Sequence, residues 1–119
     1  MKYSKEHVWV KEEGNIVTVG ISDYAQKQIS DVAYVQLPEI GGNAVKGKGF
    51  ATIESVKSVS DVFAPVSGEI VEVNNRLSDE PELINKDPVG GGWIAKIKVK
   101  DKAELNTLMT EENYKKFIK

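Results

Sequence analysis

The sequence predicts a mainly β fold, a flattened barrel of two sheets with short helices in the middle and at the C-terminus. Three observations carry this. Most apolar segments run for five to seven residues with period-two alternation and β-branched enrichment, the pattern of half-buried strands. Two strand-turn units, around Gly47 and around Gly68, flank Lys57 at similar distances, as a two-sheet barrel with a pseudo-twofold axis would leave them. Helical spacing is confined to residues 23–29 and to the chain after Asp101.

In chain order, His7-Val8-Trp9-Val10-Lys11 and Asn15-Ile16-Val17-Thr18-Val19-Gly20 read as a hairpin turning through Glu12-Glu13-Gly14-Asn15, where Gly14 and Asn15 supply the turn chemistry. His7 is the only histidine, so no multi-histidine metal site can form, and it reads as structural. Ser22 caps a two-turn amphipathic helix over Asp23-Tyr24-Ala25-Gln26-Lys27-Gln28-Ile29. Residues 31–37 alternate again and end at Pro38, and Gly41-Gly42 and Gly47-Lys48-Gly49 mark turns.

The central stretch, residues 50–70, reads as two strands meeting at Lys57. Ala51, Ile53 and Ser55 alternate with Thr52, Glu54 and Val56 before the lysine, and Val59, Asp61 and Phe63 alternate with Ser60, Val62 and Ala64 after it. Without Gly or Asn-Gly at the tip, a slightly longer loop around a type I turn is expected rather than a two-residue primed turn. By position alone such a lysine, one of fifteen, reads as a solubilising charge.

Glu69-Ile70-Val71-Glu72-Val73 forms another strand, ended by Asn74-Asn75. Asp79-Glu80-Pro81-Glu82-Leu83-Ile84 is a loop or short helical turn whose acids lack the alternation and turn glycine of a calcium loop, so they read as solvated. Gly90-Gly91-Gly92 matches neither nucleotide fingerprint and precedes a strand, so it reads as a flexible turn into the last strand. In that strand Trp93, Ala95, Ile97 and Val99 share one face, and Lys96, Lys98 and Lys100 guard the other. Asp101 begins a helical tail, about 101–119, with Leu105, Leu108 and Met109 at helical spacing. Thr110 caps a second helix whose Tyr114, Phe117 and Ile118 cover the core.

The chain of 119 residues reads as one domain. Its net charge of −2 and pI of about 5.5 argue against a nucleic-acid binder. No apolar window reaches membrane-spanning length, and no apolar segment follows the N-terminal charges as in a secretory signal. The expectation is a cytoplasmic monomer, although a mature mitochondrial protein would read the same. The absence of cysteine excludes disulfide scaffolds, thiol catalysis and thiolate metal sites, so redox chemistry must come with a cofactor.

Glu54-Ser55-Val56-Lys57, then Asp61, then Ala64-Pro65-Val66-Ser67-Gly68-Glu69, resembles the lipoyl-attachment segment of the glycine cleavage H-protein family. The similarity continues at Lys2-Tyr3-Ser4, His7 and Trp9, at Val19-Gly20-Ile21-Ser22-Asp23-Tyr24-Ala25-Gln26, at Leu37-Pro38-Glu39 and at Glu72-Val73-Asn74. It extends through Pro81-Glu82-Leu83-Ile84-Asn85, Asp87-Pro88 and Gly92-Trp93 to the closing helices, about residues 2 to 118 in all. The resemblance implies a barrel-sandwich hybrid, the lipoyl/biotinyl hammerhead, forming a single lipoyl-carrier domain over residues 1–119.

It also implies that Lys57 carries lipoate in amide linkage. The arm would take an aminomethyl group from the pyridoxal-phosphate enzyme glycine decarboxylase and present it to the tetrahydrofolate-dependent aminomethyltransferase, and dihydrolipoyl dehydrogenase would reoxidise it. A lipoate ligase or lipoyl transferase would attach the lipoate. Glu54 and Asp61 bracket the lysine and are expected to serve recognition by the lipoylating enzymes or to steer the arm, unless they merely solubilise the hairpin. Where the family usually has Glu between His and Trp, this chain has Val8. Strand alternation would put Glu6 on the same face as Val8, so Glu6 is expected to supply the missing carboxylate to the arm's cleft, with Asp61 across it.

Such a protein is a substrate carrier, not an enzyme. An H-like relay supplying lipoate to another pathway would use the same hairpin. Biotin carriers usually place Met on both sides of the lysine, where Val56 and Ser58 stand here, and the lipoyl domains of 2-oxo acid dehydrogenase complexes usually adjoin long linkers. A serine-lysine enzyme using Ser55 and Lys57 is disfavoured, because the recognised Ser-x-x-Lys spacing places both residues on one helix face.

Overall fold

The computed structural model describes residues 1–119 as a flattened body of 37 × 36 × 22 Å. It contains strands β1 (Lys2–Tyr3), β2 (Val8–Glu13), β3 (Ile16–Ile21), β4 (Val32–Gln36), β5 (Asn43–Ala44), β6 (Gly49–Ser55), β7 (Val59–Phe63), β8 (Gly68–Val73), β9 (Ala95–Val99) and β10 (Met109–Thr110). The helices are α1 (Asp23–Ile29), α2 (Arg76–Asp79), α3 (Leu83–Lys86), a 3-10 helix over Lys102–Thr107, and α4 (Glu111–Phe117). Two antiparallel sheets result, one of seven strands in the order β10-β1-β2-β3-β9-β8-β5 and one of three in the order β4-β6-β7. The mainly β barrel-sandwich hybrid expected from the sequence is the observed fold.

Alternation decides what each sheet buries. In β9, Ala95, Ile97 and Val99 face inward while Lys96 and Lys98 face out, and in β3 the inward residues are Val17, Val19 and Ile21. With Val8, Val35, Ile53, Val62 and Ile70 they belong to one cluster of 22 buried residues. At about 1.5–3 kcal/mol for each fully buried aliphatic side chain, this cluster is the main favourable contribution to folding.

A second, smaller cluster lies on the other face of the large sheet, where Tyr3 stacks on Tyr114 with ring centroids 4.2 Å apart. There Trp9 lies flat against Gly20, its register partner, so closely that a Cβ at position 20 would stand 2.8 Å from the indole. Glycine in this strand makes room for an aromatic ring. The indole N–H donates to Pro88 O at 2.8 Å, which draws the loop before β9 over Trp9.

Several local expectations are met and others corrected. Ser22 Oγ accepts Ala25 N–H at 3.1 Å, Thr110 Oγ1 accepts Asn113 N–H at 3.2 Å, and Asp101 caps the 3-10 helix. Gly14 has φ of 65° at the first position of a two-residue turn between Glu13 and Ile16. The two-residue strands β1, β5 and β10 carry too short a pattern to be seen in the sequence, and β10 replaces β9 as the last strand. The glycine run is a packed turn instead of a flexible one. Asp87 O accepts Gly92 N–H at 2.8 Å and its carboxylate accepts Gly91 N–H at 2.8 Å, while Cβ atoms at Gly90 and Gly92 would fall within 3 Å of Asp87. Buried Asn74 completes this turn by donating to Gly91 O and Trp93 O.

Gly68 opens β8 and is not a turn residue; it pairs on one side with Ala44 and on the other with Val99. Its φ is not positive; space is the constraint. A Cβ there would stand 2.1 Å from the backbone oxygen of Lys98 and 2.8 Å from Ile97 Cγ2. Even Gly68→Ala should therefore push β8 away from β9 and cost about 2–3 kcal/mol. Thermal melts should show a clear fall in Tm for Gly68→Ala and none for Lys57→Ala, since Lys57 is exposed. Equal melting temperatures for Gly68→Ala and the parent would contradict the close approach.

Candidate functional site

The hairpin β6–β7 carries Lys57 at the edge of the body. Its strands pair from Gly49 with Phe63 to Glu54 with Val59, and the connection Val56–Ser58 contains no positive φ, consistent with the expected unprimed tip. Ser55 closes it. Its N–H donates to Ser58 O at 2.8 Å, and its Oγ accepts Lys57 N–H at 3.2 Å and Ser58 N–H at 3.1 Å. The Ser55 hydroxyl is thus committed to the turn backbone, with no hydrogen bond to the Lys57 amine, so the two form no nucleophile pair.

The tip is also anchored sideways. Val56 N–H donates to Asp31 O at 3.1 Å, and Val32 N–H to Asn85 Oδ1 at 2.9 Å, while the Asn85 amide donates to Ser30 O and Gln26 Oε1. The backbone of the tip is held while the Lys57 side chain makes neither ion pair nor hydrogen bond. Acylating that amine would strand no partner, so the residues present fit an amide-linked group.

Glu54 and Asp61 stand two pairs apart on the outer face of the three-stranded sheet, both exposed and outside every ion pair. Asp61 lines a groove of about 490 Å³ with Gln36, Glu39, Phe50 and Thr52. Glu6 is not on that face. It occupies the β1–β2 turn and lines a cleft of about 250 Å³ with Ser4, Lys46, Pro65 and Leu108, near the base of the hairpin. The expectation that Glu6 shares a face with Val8 fails, because the chain between them is a turn and not a strand. His7 has φ of 69°, Val8 is 1% exposed in the core, and Glu6 is exposed. Nor does Asp61 line the cleft that Glu6 borders.

That turn is closed by Ser4 N–H to Val8 O at 2.9 Å and His7 N–H to Ser4 O at 3.1 Å. Its left-handed position normally takes glycine, because a Cβ there costs about 1–2 kcal/mol. What holds a histidine there is a part-buried polar contact that the sequence pattern does not reveal. The Tyr114 hydroxyl lies 2.7 Å from both His7 Nδ1 and Ser22 Oγ. Burial holds the imidazole below its ordinary value, against a weaker opposite pull from Glu6, and burial raises the phenol of Tyr114. Neutral Nδ1 takes the phenolic hydrogen, Ser22 donates to the phenol oxygen, and Ser22 Oγ still accepts Ala25 N–H, so the arrangement is satisfied.

The model of the glycine cleavage H-protein family matches residues 1–119. The chain belongs to this family. It is 53% identical over 116 residues to the glycine cleavage system H protein of Thermotoga maritima, covering 98% of this chain and 94% of that one. It is 50% identical over 117 residues to the mitochondrial H protein of Flaveria trinervia, covering 98% of this chain and 71% of the relative. The crystal structure of a glycine cleavage system H protein from Mycobacterium marinum superposes with a TM-score of 0.82 at 36% identity, covering 95% of this chain and 91% of that one. No helix here is long and apolar enough to cross a membrane.

For an H-protein-family chain with one histidine held neutral by burial, acid acts through that residue. Because the folded-state value lies below the unfolded 6.5, the unfolded chain takes the proton first, and stability is lost as pH falls from about 6.5 through the folded value. His7→Asn, which tolerates the left-handed conformation, lacks this titration. The stability advantage of the parent over His7→Asn, measured by denaturant unfolding, should shrink as pH drops below about 6.5. A constant difference from pH 8 to about pH 5 would contradict it.

Proposed function

We propose that this chain is the lipoylated carrier of the glycine cleavage system, with Lys57 as the attachment residue. The observation that carries the reading is a free amine on a fixed tip. Lys57 alone of the fifteen lysines joins that geometry to the Glu54–Gly68 sequence that resembles the family's attachment segment. A dithiolane linked there supplies disulfide exchange and uptake of a carbon fragment, chemistry that a cysteine-free chain lacks. The fold holds the attachment point, keeps the tip backbone hydrogen-bonded, and leaves the side chain free to swing. Tethering sets the effective concentration at a docked partner's site near ~1 mM.

In this reading the chain is a carrier and not an enzyme. Its partners are glycine decarboxylase, the aminomethyltransferase, dihydrolipoyl dehydrogenase, and the ligase or transferase that lipoylates it. Glu54 and Asp61 face those partners beside the tip. Glu6 sits at the mouth of the cleft by Pro65 and supplies its carboxylate to whatever group folds back there.

Intact mass and peptide mapping of protein made in a lipoate-replete host should find one lipoyl increment, on Lys57, and none in Lys57→Arg. An increment that persists in Lys57→Arg would overturn the site. Incubating the lipoylated protein with glycine and glycine decarboxylase tests the rest: transfer of the glycine methylene carbon to the protein is expected, and its absence would favour a lipoate relay serving another pathway.

A further inference from the structure

The outer face of the β4-β6-β7 sheet sets exposed apolar side chains near Lys57 among polar and acidic ones, in the rows Tyr34-Glu54-Val59 and Gln36-Thr52-Asp61. Val56, Val59 and Tyr34 are 71%, 64% and 50% exposed, all on this sheet or at its tip. Strand register lines up Tyr34, Glu54 and Val59 as direct neighbours across the three strands, one step from the tip. Side chains so placed form one contiguous patch.

Tyr34 reaches this face through an irregularity. Val32 pairs with Ser55 and Tyr34 with Glu54, so Ala33 is an extra residue in β4. Without the bulge, alternation from buried Val32 would turn Tyr34 inward. With it, Ala33 and Tyr34 are both exposed while Val35 returns to the core at 2%. A bulge re-aims a side chain at the expense of ladder regularity, and here it presents an aromatic ring to solvent beside Lys57. Aromatic rings in such positions are the usual anchors of protein contacts.

The charge on this face is segregated as well. Residues 31–39 and 49–63 contain Asp31, Glu39, Glu54 and Asp61, and Lys57 is their only cation. None of these carboxylates joins an ion pair, whereas Asp23, Glu72, Glu80, Glu111 and Glu112 each pair with a lysine or arginine elsewhere. Acylation of Lys57 would leave the face purely acidic.

We propose that the Tyr34–Glu54–Val59 row, with Val56 and Asp61 beside it, is the surface on which the enzyme that loads the arm docks, through an apolar seat rimmed by lysine or arginine. This rests on the carrier reading, and the partner meant is glycine decarboxylase. An enzyme that binds a carboxylate substrate and a phosphate-bearing cofactor needs lysine or arginine to hold them, and cations of that kind at its entrance would complement this acidic face. The bulged tyrosine fills the apolar seat, and Asp61 and Glu54 meet the cationic rim and fix the approach of the tip.

The test uses full-length protein lipoylated in vitro by lipoate ligase and verified by intact mass, with glycine decarboxylase as partner and the lipoylated chain as the varied substrate in glycine–bicarbonate exchange. Tyr34→Ser and Val59→Thr should raise KM about tenfold or more with kcat little changed, whereas Val89→Ser, exposed at 43% elsewhere, should leave both as in the parent. KM for the parent should rise between ~20 and ~200 mM salt, and Asp61→Asn should flatten that dependence. Fully lipoylated Tyr34→Ser and Val59→Thr with KM within about twofold of the parent would overturn the docking surface and leave the carrier reading standing. A fall in kcat alone would overturn it too, since docking acts on KM. A parent that takes no lipoate on Lys57 would remove the carrier reading, and the docking surface with it.

Discussion

The backbone oxygen of Lys98 occupies the space where a side chain at position 68 would stand, and much of the molecule is arranged around that approach. It lets β8 lie between β5 and β9, with Gly68 paired to Ala44 and Val99. The segment just before it is the return leg of the lysine hairpin, and it is fastened on several sides. Ser67 N–H donates to the Glu104 carboxylate at 2.8 Å, Ser67 Oγ accepts Lys46 N–H at 2.9 Å, and Ala64 exchanges backbone hydrogen bonds with Gly47 and Lys48. The hairpin therefore projects from a fixed base, so the position of Lys57 is set by packing about ten residues away from it.

Rigidity and freedom are divided at the level of atoms. Ser55, Asp31 and Asn85 satisfy the backbone around the tip, which is otherwise exposed and would fray. The lysine side chain has no such partner. A carrier gains from this division, because a mobile base would lower the effective concentration that tethering provides and a bound amine would be unavailable for acylation. The same sheet buries Val32, Val35, Ile53 and Val62 on one side and sets Tyr34 and Val59 among polar and acidic side chains on the other, so one set of strands serves both core and surface.

The C-terminal elements reach the site indirectly. Tyr114 on α4 stacks on Tyr3 and hydrogen-bonds His7 and Ser22, so the last helix holds the turn that presents Glu6. Phe117, expected to cover the core, stays 48% exposed with its ring centroid 6.0 Å from that of His7. The short helix is thus pinned mainly by one buried phenol, whose pKa burial raises above its already high ordinary value, so it stays a donor.

Periodicity in the sequence determined the strands longer than four residues, the caps at Ser22 and Thr110 and the lysine at a hairpin tip, because these depend on neighbours two to four positions apart. The resemblance around Glu54–Gly68 added the attachment residue and the fold name. Three features were decided only by the tertiary structure. Gly20 reads in the sequence only as the end of a strand and Gly68 as a turn glycine, yet they answer to Trp9 and to Lys98 O, contacts set by strand register. Alternation placed Glu6 beside Val8, but the positive φ of His7, held by Tyr114 more than a hundred residues later, breaks that alternation. Tyr34 faces outward because one residue of β4 is left over when it pairs with β6. Local pattern fixes which side chains alternate; pairing with distant strands fixes where the alternation is interrupted, and that information is not in any one stretch of the chain.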